Sequence, residues 1–132
     1  MKSTSSRTQG DTAKVMLHEK ALARTTVNLF KVWGLTDAEA CILLGGMSAR
    51  TWARWKDGAH GRIGRDLSTM MAHLMGVHKG LSYLFKEPAR GYAWIRKPNA
   101  AFEGQSALQL MLRGDISDLA ALRDWLDMER GE

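Results

Sequence analysis

The sequence lacks several features that mark common classes of protein. It has one cysteine in 132 residues, which excludes a disulfide framework and a paired-cysteine metal site. No run of about 20 apolar residues occurs, so no membrane span is predicted. Residues 1–11 are polar, rich in serine and threonine, and without the apolar stretch of a secretory signal. We therefore predict a cytoplasmic protein with a disordered tail over residues 1–11.

Residue patterns that carry catalysis are also missing. The four histidines are scattered, and no HxxxH or HExxH pair would place two metal ligands on one helical face. Neither a GxxxxGK(S/T) nor a GxGxxG phosphate-binding loop is present. Cys41 lies in an apolar segment, where a cysteine usually acts as a small hydrophobic residue. We predict no enzyme activity, no metal, no cofactor and no small-molecule substrate.

What is present favours helices. Proline occurs twice, and alanine, leucine, methionine and arginine are abundant, so we predict an all-α fold. A linker is predicted at residues 86–90, around Pro88, between a domain over 12–86 and a domain over 87–132. Gly76 is predicted to end a helix. Apolar spacing, caps and glycine stops predict helices over residues 12–33, 37–44, 49–56, 65–75, 78–85, 106–113 and 117–128.

The charge is distributed unevenly along the chain. Up to Lys97 there are sixteen basic and seven acidic residues, whereas the remainder has three basic and seven acidic residues, for a net charge of +5. A basic body with an acidic C-terminal segment suggests two surfaces with different partners. Charges that simply decorate solvated faces would produce the same asymmetry.

Residues 36–48 have the signals of the first half of a helix-turn-helix. Thr36 and Glu39 form the pattern of a capping box before a short apolar helix. Gly45 and Gly46 then supply the turn, for which glycine is favoured because it tolerates positive φ. Ser48 is positioned to cap the next helix, whose free N–H groups can bind a phosphate.

The next segment has the two faces that a recognition helix requires. Trp52 and Trp55 are three residues apart and share one face, which we predict to be buried. Arg50 and Arg54 share another face, suited to phosphate and to guanine, although a solvated basic face is the alternative. The residues that we predict to contact DNA are Ser48, Arg50, Thr51, Arg54, Lys56, Arg62 and Arg65.

Two segments resemble a known family. Residues 44–56 resemble the Xre-type helix-turn-helix, except that the turn has two glycines where the family has one, which would change the register of the second helix. Residues 93–108, AWIRKPNAAFEGQSAL, are similar to the toxin-binding domain of the Xre/MbcA/ParS antitoxins, with its tryptophan, Pro-Asn turn, apolar residue, glycine and short helix. Residues 111–127 continue this similarity, and the two halves together cover roughly residues 27–131.

The resemblance implies a fold and a function. The fold would be an Xre-like helix-turn-helix bundle followed by a small helical toxin-binding domain. The function would be that of the antitoxin of a RES–Xre toxin–antitoxin pair. In that family the toxin consumes NAD⁺. The antitoxin binds the toxin through its C-terminal domain, blocks access to the active site, dimerises and represses its own promoter.

The toxin-binding residues are expected in the C-terminal segment. Its aromatic residues, Trp94, Phe102 and Trp125, are either interface anchors or part of the small domain's own core. The turn at Asn99 is expected to be mainly structural. The residues that we predict to bind the toxin are Trp94, Asn99, Phe102, Glu103, Gln105, Arg113, Asp115 and Arg123.

Two other functions fit the same sequence. The chain could be a stand-alone dimeric helix-turn-helix repressor, whose C-terminal half serves only dimerisation. It could also bind a protein partner and use the helix-turn-helix only as part of its scaffold, in which case no salt-dependent DNA affinity is expected. We predict a homodimer because helix-turn-helix repressors read two-fold symmetric operator DNA with two recognition helices.

Overall fold

A computed structural model describes the backbone of residues 2–113 and 115–129, and the side chains within these ranges from residue 13 onward. This part of the chain is helical and has no strand, which confirms the predicted all-α class. Residues Ala100–Phe102 form a short 3₁₀ helix. In chain order the α-helices are α1 (Lys2–Val32), α2 (Asp37–Leu43), α3 (Ala49–Lys56), α4 (Arg65–Leu84), α5 (Pro88–Trp94), α6 (Ala107–Leu112) and α7 (Ile116–Glu129).

Helix α1 begins earlier than the sequence pattern indicates. Residues 2–11, which we predicted as a disordered tail, are helical, and Met1 lies outside the described residues. The chain has no proline before Pro88, so nothing in this stretch forces the helix to break. The buried face of α1 comes much later, at Ala23, Thr26 and Phe30. These residues are three or four positions apart and therefore point the same way.

An aromatic cluster holds α1 against the helix-turn-helix. Phe30 lies 6.2 Å from Trp33 and 5.7 Å from Trp52, measured between ring centroids. Trp55 lies 6.5 Å from Trp52 and is also buried. The burial of both tryptophans of α3 confirms the predicted inner face of this helix. These large side chains give a short, two-turn helix most of its anchorage, because isolated helices of this length are not stable in water.

Helix α4 corrects the prediction at Gly76. We predicted that this glycine ends a helix, but α4 continues through it to Leu84. Gly76 and Gly80 are four residues apart on the face that α7 packs against. A Cβ atom at Gly76 would overlap the side chain of Arg123, and one at Gly80 would lie 3.0 Å from the Cβ of Leu126. The glycines therefore allow close helix packing rather than a helix end.

The predicted linker is also shorter than expected. Pro88 is the first residue of α5, so most of the segment 86–90 is helix. Proline suits this position because the first N–H groups of a helix have no partner within it. Phe85 has an extended backbone and separates α4 from α5. The two helices pack against each other across this bend, with Gly91 close to the ring of Phe85.

The C-terminal helices complete a core shared with α4. Ser106 caps α6 as predicted, in a capping box with Gln109. The buried residues of α7 are Leu119, Leu122 and Leu126, and they face α4. Since α4 of the first predicted domain packs against α7 of the second, the two halves of the chain share one hydrophobic core. None of the helices in the described ranges is long and apolar enough to span a membrane.

The contact at Gly80 leads to a stability prediction. Gly80→Val should lower the free energy of unfolding by about 1–3 kcal/mol, because Leu126 is fully buried and cannot move aside. Ala72→Val, on the exposed side of the same helix, should cost only about 0.5 kcal/mol from helix propensity. Thermal denaturation followed by circular dichroism measures both. Equal effects at the two positions would contradict the packing role of Gly80.

Candidate functional site

The turn before the recognition helix α3 accommodates both of its glycines. Gly45 and Gly46 have φ values of 76° and 86°, in the left-handed region that glycine adopts at little cost. The N–H groups of Gly46 and Met47 both donate to the carbonyl oxygen of Cys41. Ser48 then caps α3 by accepting from the N–H of Thr51 at 3.1 Å, which confirms the predicted cap. The faces of α3 are nevertheless oriented as predicted from its sequence.

The outer face of α3 is exposed and basic. Arg50, Thr51 and Arg54 are exposed, while Trp52 and Trp55 on the other face are buried. Neither arginine forms an ion pair with a described residue. Both guanidinium groups are therefore available to phosphate or guanine, the groups for which arginine has matching donors.

Lys56 is positioned differently from the other predicted DNA-contacting residues. Its ammonium group lies 2.9 Å from Asp37 Oδ1, which also accepts from the indole N–H of Trp52 at 2.9 Å. These two donors lower the pKa of the Asp37 carboxyl. Lys56 thus ties the end of α3 to the start of α2. Arg62 and Arg65 are exposed in and after the following loop.

Arg96 joins the C-terminal half to the helix-turn-helix. Its guanidinium donates to Glu39 Oε1 at 3.0 Å and to the carbonyl oxygen of Gly34 at 2.8 Å. Glu39 also accepts from the N–H of Thr36 in the predicted capping box, which the structure confirms. The bond from Arg96 is the main reason that the pKa of Glu39 is lowered. The spacing of Thr36 and Glu39 predicts the box, but nothing near it in the sequence indicates its distant partner, Arg96.

The aromatic residues of the C-terminal half form a half-buried cluster. Trp94 and Trp125 stack, with their ring centroids 5.8 Å apart and an angle of 11° between the ring planes. Phe102 packs edge-on against Trp125 at 5.1 Å, and Phe85 lies 6.1 Å from Trp94. All four side chains remain partly exposed. They therefore pack on one another and still offer part of their surface to a partner. Phe85 was missed because it precedes the recognised pattern.

The loop that carries Asn99 and Glu103 is tightly folded. The side chain of Asn99 accepts from the N–H of Ala101 at 2.9 Å and caps the short 3₁₀ helix, which is a structural role. Glu103 is exposed and has a φ of 58°, a left-handed conformation that is uncommon outside glycine. Such backbone conformations are found preferentially at functional sites.

The remaining predicted toxin-binding residues do not form one group. Gln105 and Arg113 are hydrogen-bonded to each other on an exposed surface. Asp115 accepts from the N–H of Ser117 at 2.9 Å at the start of α7, and this bond lowers its pKa. Arg123 is half-buried against Gly76 in the α4–α7 interface. This packing explains the position of Arg123 without any contact with a partner protein.

Comparisons with known proteins identify the family. Residues 13–76 match the antitoxin Xre-like helix-turn-helix domain. Residues 81–131 match the antitoxin Xre/MbcA/ParS C-terminal toxin-binding domain. The chain belongs to the Xre/MbcA/ParS antitoxin family. The order and extent of the two matches agree with the resemblance found in the sequence. The helix-turn-helix of this antitoxin implies DNA binding, and its C-terminal domain implies a toxin partner.

The chain is also similar to two known proteins. The antitoxin is 36% identical over 99 residues to the uncharacterised protein y4oB of Sinorhizobium fredii, covering 75% of this chain and 76% of that protein. It also resembles a chain in the crystal structure of the M. tuberculosis MbcT–MbcA toxin–antitoxin complex, with a TM-score of 0.55. The two share 24% identity over 80% of this antitoxin and 92% of that chain, which shows a common fold.

The described histidine, cysteine and acidic side chains do not gather into a metal-holding group. Among the side chains described, no group of three histidine, cysteine, aspartate or glutamate residues could hold a metal ion. Burial raises the pKa of the Cys41 thiol, which makes it a poorer nucleophile. The family assignment suggests a regulator that acts by binding.

The Arg96–Glu39 pair predicts a pH-dependent effect on stability. Glu39→Gln keeps the oxygen that accepts from Thr36 but loses the charge facing Arg96, so at pH 7 it should destabilise the fold by about 0.5–1 kcal/mol. Because the folded state lowers the pKa of Glu39, its stabilisation is complete above the ordinary glutamate pKa and is lost as the pH falls through the lower folded value.

Melting temperatures of both proteins from pH 7 to pH 3 provide the measurement. The difference between them should stay constant near neutral pH and shrink below about pH 4. Other acid-sensitive groups, such as His78, whose pKa is lowered by burial, contribute equally to both proteins. A difference that does not change with pH would show that the charge of Glu39 contributes nothing.

Proposed function

We propose that this antitoxin neutralises a RES-type, NAD⁺-consuming toxin by covering its active site, and that it represses its own promoter as a homodimer in the cytoplasm. The observation that carries the proposal is the pairing of a helix-turn-helix match with a toxin-binding match in one chain. The antitoxin would act entirely by binding, with no reaction of its own and no cofactor.

The division of α3 into two faces supports the DNA-binding half. Burying Trp52 and Trp55 leaves Arg50 and Arg54 on the side that can enter a major groove. Both arginines are exposed and free of ion pairs with described residues, so both can read a base, and Arg54 is the one we select for testing. Arg62 and Arg65 are better suited to phosphates, which are contacted without regard to sequence.

The aromatic cluster supports the toxin-binding half. Trp94, Phe102 and Trp125 are large, mutually packed and partly exposed, so they can contribute buried area without losing much conformational freedom. Glu103 adds an exposed negative charge on a constrained backbone beside this cluster. The MbcT–MbcA structure, in which one chain has the same fold, is that of a toxin–antitoxin complex. We assign the corresponding surface here to the toxin.

The N-terminal part of α1 supports a homodimer. Val15, Met16 and Leu17 are 54%, 63% and 69% exposed, although all three are apolar. Val15 and Met16 lie seven positions before Leu22 and Ala23, so they continue the apolar stripe of α1 beyond the body of the protein. A second copy of the chain would cover this stripe by symmetric helix packing.

DNA recognition by Arg54 can be tested directly. Arg54→Ala should weaken binding to the antitoxin's own promoter by about 1–3 kcal/mol and relax the preference for one base. Lys56→Ala should have a smaller, sequence-independent effect, since Asp37 already holds this lysine. Fluorescence anisotropy with promoter and scrambled duplexes measures both. Unchanged binding by Arg54→Ala would show that another face of α3 meets the DNA.

Toxin binding is better tested with the full chain than by truncation, since removal of α7 would expose the core face of α4. Glu103→Lys should weaken the complex with the product of the neighbouring gene tenfold or more, about 1.4 kcal/mol. Asp66→Lys, which makes the same charge change at the start of α4 on the DNA-binding side, is the control and should bind normally.

Co-purification and cellular NAD⁺ provide the readouts. Cells that express the neighbouring gene alone should lose NAD⁺, and the wild-type chain and Asp66→Lys should restore it, whereas Glu103→Lys should protect less. A neighbour that forms no complex with the wild-type chain would instead make this protein a stand-alone repressor. A complex formed without any effect on NAD⁺ would remove the RES-type assignment.

A further inference from the structure

A groove of about 330 Å³ lies between α1 and the end of α3. Its apolar base includes Trp55, which is buried, and its α1 side carries Lys20, Arg24 and Asn28. On the opposite side His60 follows the end of α3. The groove therefore adjoins the recognition helix, and of the residues predicted to contact DNA it includes Lys56 alone among its described lining residues.

The α1 side of the groove is a continuous row of hydrogen-bond donors. Lys20, Arg24 and Asn28 line the groove, and Lys31 continues the row beyond it. The four residues follow one another at helical spacings of three or four positions and are all exposed. The three cations form no ion pair with a described residue. Like charges four residues apart, as in Lys20 and Arg24, slightly destabilise a helix. The row therefore does not stabilise α1, and its presence needs another explanation.

The rest of the groove does not neutralise the row. Asp57 is the one acidic residue that lines the groove, against two lysines and an arginine. Lys56 is already paired with Asp37, whereas Lys20 and Arg24 are not paired. The α1 side of the groove thus has an excess of positive charge that a polyanion would match.

We propose that this groove binds the DNA backbone, with Lys20 and Arg24 contacting phosphates and Asn28 donating a further hydrogen bond. The inference rests on the proposed DNA-binding function. The major groove is about 12 Å wide and a helix about 10–12 Å across, so a helix inserted there has phosphates close on both sides. Helix α1 packs against α3 and brings its row of donors to one of those sides.

Phosphate contacts of this kind have a distinctive signature. They add affinity and fix the orientation of the protein, but they carry no sequence information. Each phosphate neutralised by a cation also releases counterions, which makes binding more sensitive to salt. The α1 row should therefore affect the salt dependence of binding and leave the choice of sequence to α3.

The test compares two variants with equal loss of charge. Lys20→Ala/Arg24→Ala removes the α1 row, and Lys79→Ala/Arg90→Ala removes two exposed cations from α4 and α5. Alanine favours helix at all four positions, so folding should be retained and can be checked by circular dichroism. Binding is measured by anisotropy with a duplex of the region upstream of this gene and a scrambled duplex, over a series of salt concentrations.

The α1 variant should reduce the slope of log K against log salt concentration by about 2, and it should weaken binding to both duplexes by the same factor. The control should keep the wild-type slope. Wild-type slope and affinity in the α1 variant, with Arg54→Ala still impaired, would overturn this inference alone. Loss of toxin binding without a change in slope would assign the groove to the toxin. Absence of salt-dependent binding by the wild-type chain would remove the DNA-binding function itself.

Discussion

The close approach of α7 to α4 is the constraint on which the rest of this antitoxin depends. Gly76 and Gly80 leave room on α4 for Arg123 and for the fully buried Leu126. Burying several leucines of α7 on this face provides much of the apolar area of the C-terminal half, and each fully buried leucine contributes about 1.5–3 kcal/mol. Helix α6 packs against α7 as well as against α2, so its packing also depends on where α7 lies.

Because α4 runs through both matched segments, the helix-turn-helix domain and the C-terminal toxin-binding domain share one hydrophobic core. Arg96 strengthens the connection by bonding to Glu39 and to the carbonyl oxygen of Gly34. Nearby, His78 of α4 lies 6.5 Å from Trp33 and 6.2 Å from Tyr92, so side chains of α1, α4 and α5 meet at this junction. A ligand that binds one domain therefore binds a body that is packed directly against the other domain, and not a flexibly tethered unit.

The parts of the fold that the sequence predicted correctly depend on short-range physics. The capping box at Thr36, the serine cap at Ser48 and the buried pair Trp52 and Trp55 all follow from side chains within a few residues of one another. The prediction at Gly76 was wrong because the local sequence around a glycine does not show its role. A glycine that ends a helix and a glycine that lets another helix pack closely have the same local sequence pattern. The partner that distinguishes them, α7, lies more than 40 residues away in the chain.

The sequence by itself determined the helical class, the position of the helix-turn-helix, the two faces of α3 and the family. These properties are set by local spacing and by motifs that remain contiguous in the chain. Only the tertiary structure decided which charges are free and which are paired. Lys56 is held by Asp37 and Arg96 by Glu39, whereas Lys20 and Arg24, beside the recognition helix, form no ion pair with a described residue. The reason is physical: the electrostatic environment of a side chain depends on neighbours brought close by folding, and their positions cannot be read from spacing along the chain.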